Sequence, residues 1–182
     1  NESIQDFTHE LAAALDLASI GRLLRQRIIS SVAPDRIHIF TYDPLNDQYV
    51  PRAGDNGRPS TDVRFSPSSA LTQYFLTERL PLYLDDTSLP VDLRPEQARL
   101  SLLGARLFVA MPGSERPIGW LALGPRLSGR PYAPRDLAFL EYLGDQASIA
   151  IQRVQTVANL ERRVQEMNAL TRVSQGVNIT LT

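Results

Sequence analysis

The last third of the chain carries the clearest pattern. From Pro134 onward, apolar residues recur at steps of three and four: Leu140, Leu143, Ala147, Ala150, Val154 and Val157, then Leu160, Val164, Met167, Leu170, Val173 and Val177. That period predicts one very long helix. Asp136 falls in its first turn, where the macrodipole favours a carboxylate. The stripe outruns what a domain of this size needs for its own core. It is therefore expected to form a seam between two copies, through Leu143, Ala147, Ala150, Val154, Val157 and Val164. Steps of three around Leu160 and Leu170 depart from a strict heptad, as stammers do. Gly176 weakens the far end.

The N-terminus reads as two helical pieces. Ile4, Phe7, Leu11 and Ala14 share one face. Asp16 stands where an N-cap belongs, and Leu17, Ile20, Leu23, Leu24 and Ile28 follow on a second amphipathic helix that ends near Ser31, ahead of Pro34. Residues 36–42 then alternate and are rich in β-branched and aromatic side chains, a strand. The polar turn 43–47 leads into a return strand over 48–53, and 61–65 is a short strand at best. Ser66 and Pro67 predict the start of a helix with Leu71, Tyr74, Phe75 and Leu80 on its apolar side. A short strand at 81–84 precedes a long connection, 85–101, with one or two helical turns after Pro95. Residues 105–111 and 118–124 form a hairpin whose near-continuous apolar character requires cover on both faces.

Composition narrows the chemistry. The chain has 182 residues, 19 basic against 20 acidic, a net charge of −1 and no cysteine. Every basic residue is arginine. Such a balance gives no electrostatic footprint for nucleic acid. Without lysine or cysteine there is no Schiff base, phosphate-loop lysine, thiolate nucleophile or thiolate metal site. The two histidines, His9 and His38, do not build a Ser-His-Asp set. The expectation is a non-enzymatic protein. No run of apolar residues is long enough to span a membrane, and the absence of cysteine fits a reducing compartment, so a cytoplasmic location is expected. The sequence reads as a fragment of a longer protein.

Three segments together resemble the GAF family of small-molecule sensor domains. They are Leu80-Pro-Leu-Tyr-Leu-Asp-Asp-Thr87; Leu103-Gly-Ala-Arg-Leu-Phe-Val-Ala-Met-Pro112 followed by Pro117-Ile-Gly-Trp-Leu-Ala-Leu123; and Tyr132-Ala-Pro-Arg-Asp136 leading into Leu140 to Ile151. The resemblance implies an α+β fold: a central antiparallel sheet of five or six strands, terminal helices on one face, a ligand cavity over the other and a long C-terminal helix. It further implies a sensor module covalently linked to other signalling domains. The aromatic-x-x-x-Asp of cyclic-nucleotide-binding members is present as Tyr132 and Asp136, but the strand end reads Leu123-Gly-Pro125 and Leu137 replaces their glutamate, which speaks against cyclic nucleotides. The lack of cysteine removes covalent bilin attachment and methionine sulfoxide reductase chemistry. A loosely bound chromophore or haem stays open, so no cofactor is assigned.

The expected organisation is an N-terminal helix over 1–15, the sensor domain over 16–158 and a helical linker over 159–182. Alternation puts His38, Phe40 and Tyr42 on the strand face away from Ile37 and Ile39. These three, with Phe108 and with Trp120 on a face shared with Ile118 and Ala122, are the candidate ligand-pocket residues. A buried imidazole can bond a ligand or simply be satisfied within the core. Asp85 and Asp86 read as turn and cap residues more readily than as a cation site, and the Arg162-Arg163 pair as solvated surface. Two functions follow: relay of small-molecule binding through paired terminal helices, or a ligand-free dimerisation spacer. Pocket positions filled by Phe40, Phe108 and Trp120 favour the second.

Overall fold

The computed structural model describes residues 2–78, 81–84 and 89–180. Leu80, Asp85, Asp86 and Thr87, and the side chains of Ile4 and Val177, lie outside that description. Helices α1 (Glu2–Ala13) and α2 (Leu17–Ser31) precede strands β1 (Ile37–Asp43) and β2 (Gln48–Pro51). Helix α3 (Ala70–Thr77), β3 (Leu82–Tyr83), a 3-10 helix (Val91–Glu96) and α4 (Gln97–Leu102) lead to the hairpin of β4 (Leu107–Met111) and β5 (Gly119–Leu123). Helix α5 (Pro134–Thr180) completes the chain. The strands form one antiparallel sheet, in the order β2-β1-β5-β4-β3, which is the expected α+β architecture.

Strand alternation sorts the core into two layers. Ile37, Ile39, Leu107, Val109, Met111, Leu121 and Leu123 face α1, α2 and α5, meeting Phe7, Leu11, Ile20, Leu24, Ile28, Leu140 and Leu143. Phe40, Phe108, Trp120 and Ala122 face the other way, against Tyr49, Phe65, Leu71, Phe75, Leu93 and Leu100. Ile118 departs from the expectation. It precedes β5 and packs against the helix-side layer rather than beside Trp120. Because Phe7 and Leu11 of α1 lie in the same layer as α2 and the sheet, the expected boundary at residue 15 runs through a continuous core.

Local chemistry sets the element ends. Asp16 caps α2 by accepting the Ser19 amide at 2.8 Å. Helix α3 begins later than Ser66-Pro67 predicts. Ser69 is its N-cap, with extended backbone and a hydroxyl accepting from the Thr72 amide, while the Ser66 carbonyl takes the Thr72 hydroxyl at 2.9 Å. The segment 61–65 contributes a single bridge, Phe65 to Tyr49. Pro95 sits inside the 3-10 helix, and the helical turns expected after it are α4.

Helix α5 is rooted by a set of polar ties. Asp136 accepts from the Ala133 amide at 2.8 Å and pairs with Arg126 at 3.3 Å. Arg126 also donates to the Val32 carbonyl at 3.0 Å, and the Tyr132 hydroxyl donates to the Gly124 carbonyl at 2.6 Å. At Gly144 a Cβ would lie 2.7 Å from the Ala110 carbonyl oxygen, so the missing side chain lets α5 settle onto β4. The helix runs unbroken for 47 residues, a rod of about 70 Å. Its first part is buried down to Ile151, but every residue from Thr156 to Ser174 is exposed.

Candidate functional site

The expected ligand face is built from aromatic side chains. Phe40 on β1, Phe108 on β4 and Trp120 on β5 are each 0% exposed. Four rings surround the indole: Tyr49 at 4.6 Å, Phe75 at 5.5 Å, and Phe40 and Phe65 at 5.6 Å between centroids. Offset and edge-on pairs at these separations are attractive beyond their buried area. The Tyr49 hydroxyl donates to the Pro117 carbonyl at 2.7 Å, and burial pushes its pKa up to about 12. One residue just before α4 and one within it close the layer. Glu96 Oε2 accepts the Leu71 amide at 2.9 Å, adding a second cap to α3. The Arg99 guanidinium lies 4.6 Å from the centre of the Phe65 ring. The side chains themselves occupy this face. Trp120 Nε1 is buried there without a hydrogen-bond partner among the described residues.

His38 lies beside this layer and is 4% exposed. Its Nε2 stands 2.8 Å from the Leu103 carbonyl oxygen, which can only accept, so Nε2 carries the proton. Nδ1 then accepts from the Ser60 hydroxyl at 2.7 Å. Both nitrogens are engaged within the chain, tying β1 to the loop at Ser60 and to the end of α4. Burial lowers the His38 pKa below its ordinary 6.5, and neighbouring Arg25 and Arg36 push in the same direction. The fold therefore holds the neutral ring. The unfolded chain takes up a proton at the ordinary value, so stability is full above about pH 6.5 and falls as pH drops from there toward the folded pKa. Chemical denaturation at pH 7 and pH 5 is expected to show that loss, with the slope flattened in His38→Gln.

The other candidates separate in space. Tyr42 is only half-buried at the layer's margin. Its hydroxyl donates to Asp47 at 2.5 Å, and Arg116 stacks on its ring at 3.7 Å. His9 is exposed on α1. Of the expected seam residues, Leu143, Ala147 and Ala150 belong to the protomer's own core, Val154 is half-buried against it, and Val157 and Val164 are open to solvent. The sheet and α2 meet the first three, so the open stripe begins at Val157. Leu160, Met167, Leu170 and Val173 continue it, each at least 54% exposed.

A cleft of about 440 Å³ lies at one end of the sheet, lined by Asp35, Arg36, Gly104, Arg106 and Pro125 together with residues of α4. Sequence reasoning did not single out Arg36 and Arg106 as a pair, because they lie 70 positions apart. Pairing brings them together. Ile37 and Leu107 both pair with Leu123, from opposite sides of β5. The residues preceding them, Arg36 and Arg106, therefore flank the same end of that strand, about 10 Å apart at two strand spacings. A second cleft, of about 420 Å³, lies by the β4–β5 turn and mixes Glu115, Arg116, Glu141 and Asp145. Among the described residues no group of histidine, aspartate and glutamate is arranged to hold a metal, and no helix is long and apolar enough to cross a membrane.

Comparison with known proteins agrees with this geometry. The family profile of the GAF domain matches residues 2–152. Among solved structures, residues 122 to 287 of a methyl-accepting chemotaxis protein superpose with a TM-score of 0.63 at 20% identity, covering 83% of this chain and 98% of that one. The GAF domain of a two-component sensor histidine kinase from Bacillus halodurans gives 0.60 at 23% identity, covering 80% and 99%. The GAF domain/HD domain protein from Geobacter sulfurreducens gives 0.59 at 19%, covering 80% and 98%. No curated protein sequence matches the chain.

Proposed function

Because the chain belongs to the GAF domain family, whose members are regulatory modules of signalling proteins, we propose that it relays a conformational signal between neighbouring domains as a homodimer paired along α5. One observation carries this reading. The exposed part of α5 keeps an apolar stripe, Val157, Leu160, Val164, Met167, Leu170 and Val173, that its own domain does not touch. Most helical stability in proteins comes from packing of an apolar face rather than from propensity, and a second copy laid against the stripe supplies that contact. In this reading the two copies run parallel about a two-fold axis along the rod, which brings the same end of both helices to the same neighbouring domains. Small shifts of the sheet against α2 and α5 then become rotation or sliding of the paired rods, a change within reach of a few kcal/mol.

A ligand-free dimerisation spacer is the second reading, favoured by the aromatic side chains that fill the sheet face. Both readings share the seam. Sedimentation velocity over a wide range of protein concentration tests it, with a dimer expected at micromolar concentration. A monomer throughout that range would remove the relay.

A further inference from the structure

The lateral cleft has the chemistry of an effector site, and the aromatic face does not. Part of its lining is apolar, from Leu84, Leu89, Leu100 and Ala105. Two guanidiniums stand at its rim. Neither the Arg36 nor the Arg106 side chain has a hydrogen bond or ion pair among the described residues. The position of Arg36 is built into the backbone. Gly104 has φ +62°, and an ideal Cβ there would come within 3.0 Å of the Arg36 side chain. A side chain at 104 would be strained by the positive φ and would crowd that guanidinium by a few tenths of an ångström. Among the described residues one carboxylate lines the cleft: Asp35, seated over Gly124 with Oδ1 only 1.8 Å from where a Cβ would be. Among the described residues the lining sets two cations against one anion, a balance that suits an anionic ligand. The volume of about 440 Å³ lies in the range of small-molecule sites.

We infer that this cleft binds a small organic carboxylate, with its apolar body on the lining leucines and its carboxylate between Arg36 and Arg106. The site touches both roots of the relay. Asp35 donates its amide to the Pro125 carbonyl at 2.8 Å, and Leu127 donates to the Ala33 carbonyl at 2.8 Å. The α2–β1 and β5–α5 connections are thus stitched together beside the cleft, and Arg126 continues the stitch to Asp136 of α5. Ligand contact with Arg36 and Pro125 acts directly on that joint. The inference deepens the regulatory reading. Binding is read by calorimetry and assembly by sedimentation, so the two can fail separately.

Isothermal titration with octanoate tests it, against 1-octanol as the uncharged body and inorganic phosphate as the bodiless anion. Octanoate is expected to bind, with each control weaker by about tenfold or more, the usual effect of a charge-assisted bond. The double variant Arg36→Gln, Arg106→Gln should lose at least tenfold in octanoate affinity. Ser101→Trp, an exposed α4 position on the cleft wall, should block binding while leaving both charges and the fold in place. No heat with octanoate, equal affinity for octanol or phosphate, or undiminished binding in both variants would overturn the assignment.

Discussion

Leu160→Glu combined with Val164→Glu converts the dimer to a monomer and leaves the domain's melting temperature within a few degrees of the wild type. Both side chains are more than half exposed, and neither touches the protomer core. Within the fold, the substitutions therefore cost little beyond a small change in helix propensity. In the dimer they act twice over. Four carboxylates face one another across a narrow apolar seam, and the burial of two leucines and two valines is lost, at roughly 1.5–3 kcal/mol for each side chain fully buried. Allowing for incomplete burial, a loss of at least about 3 kcal/mol is expected, more than a hundredfold in dissociation constant. Light scattering coupled to size exclusion reads the mass, and calorimetry reads the melt. A dimer of unchanged affinity would take the seam away from α5.

Trp120→Ala lowers the stability of the domain by about 3–5 kcal/mol, the range for deleting a large buried aromatic. A domain of this size is stable by roughly 5–15 kcal/mol in total, so this variant loses a large share of it. The indole is 0% exposed and in contact with Tyr49, Phe40, Phe65 and Phe75, which cannot all close the gap together. Trp120→Phe behaves differently. It leaves a smaller void and also removes the buried Nε1–H, which has no acceptor among the described residues. The two effects oppose each other, and a change within about 1 kcal/mol follows. Urea denaturation of both variants checks the pair. Equal losses in the two would mean that the volume removed does not govern the site. A negligible loss in Trp120→Ala would mean that the aromatic face is not close-packed.

Much of the body was legible because strand alternation is a strict rule. Ile37 and Ile39 against His38 and Phe40 is a period-two pattern that the sheet obeys residue by residue. The cap at Asp16 and the acidic first turn at Asp136 were legible for a similar reason, since each meets a local need of the helix backbone. The seam was only half legible. Leu143, Ala147 and Ala150 recur at the same spacing as Val157, Leu160 and Val164, and a helical period does not say whether a sheet or another chain covers it. Tertiary packing decided that, assigning the first three to the sheet and α2. The filling of the aromatic face was hidden for a related reason. Tyr49, Phe65 and Phe75 come from three separate segments and converge on Trp120 only when β2, residue 65 and α3 fold over it. Arg36 and Arg106 were hidden most completely, because strand register alone makes them neighbours.

The chain's lack of cysteine makes one measurement direct: oxidation of Leu160→Cys at micromolar concentration, beside Arg162→Cys as a control on the same stretch of helix but on the face opposite Leu160 and Val164. A rapid, near-complete disulfide-linked dimer from Leu160→Cys, with little from Arg162→Cys, is expected for two parallel rods facing each other along the stripe. Equal cross-linking of both variants, or none from Leu160→Cys, would contradict it.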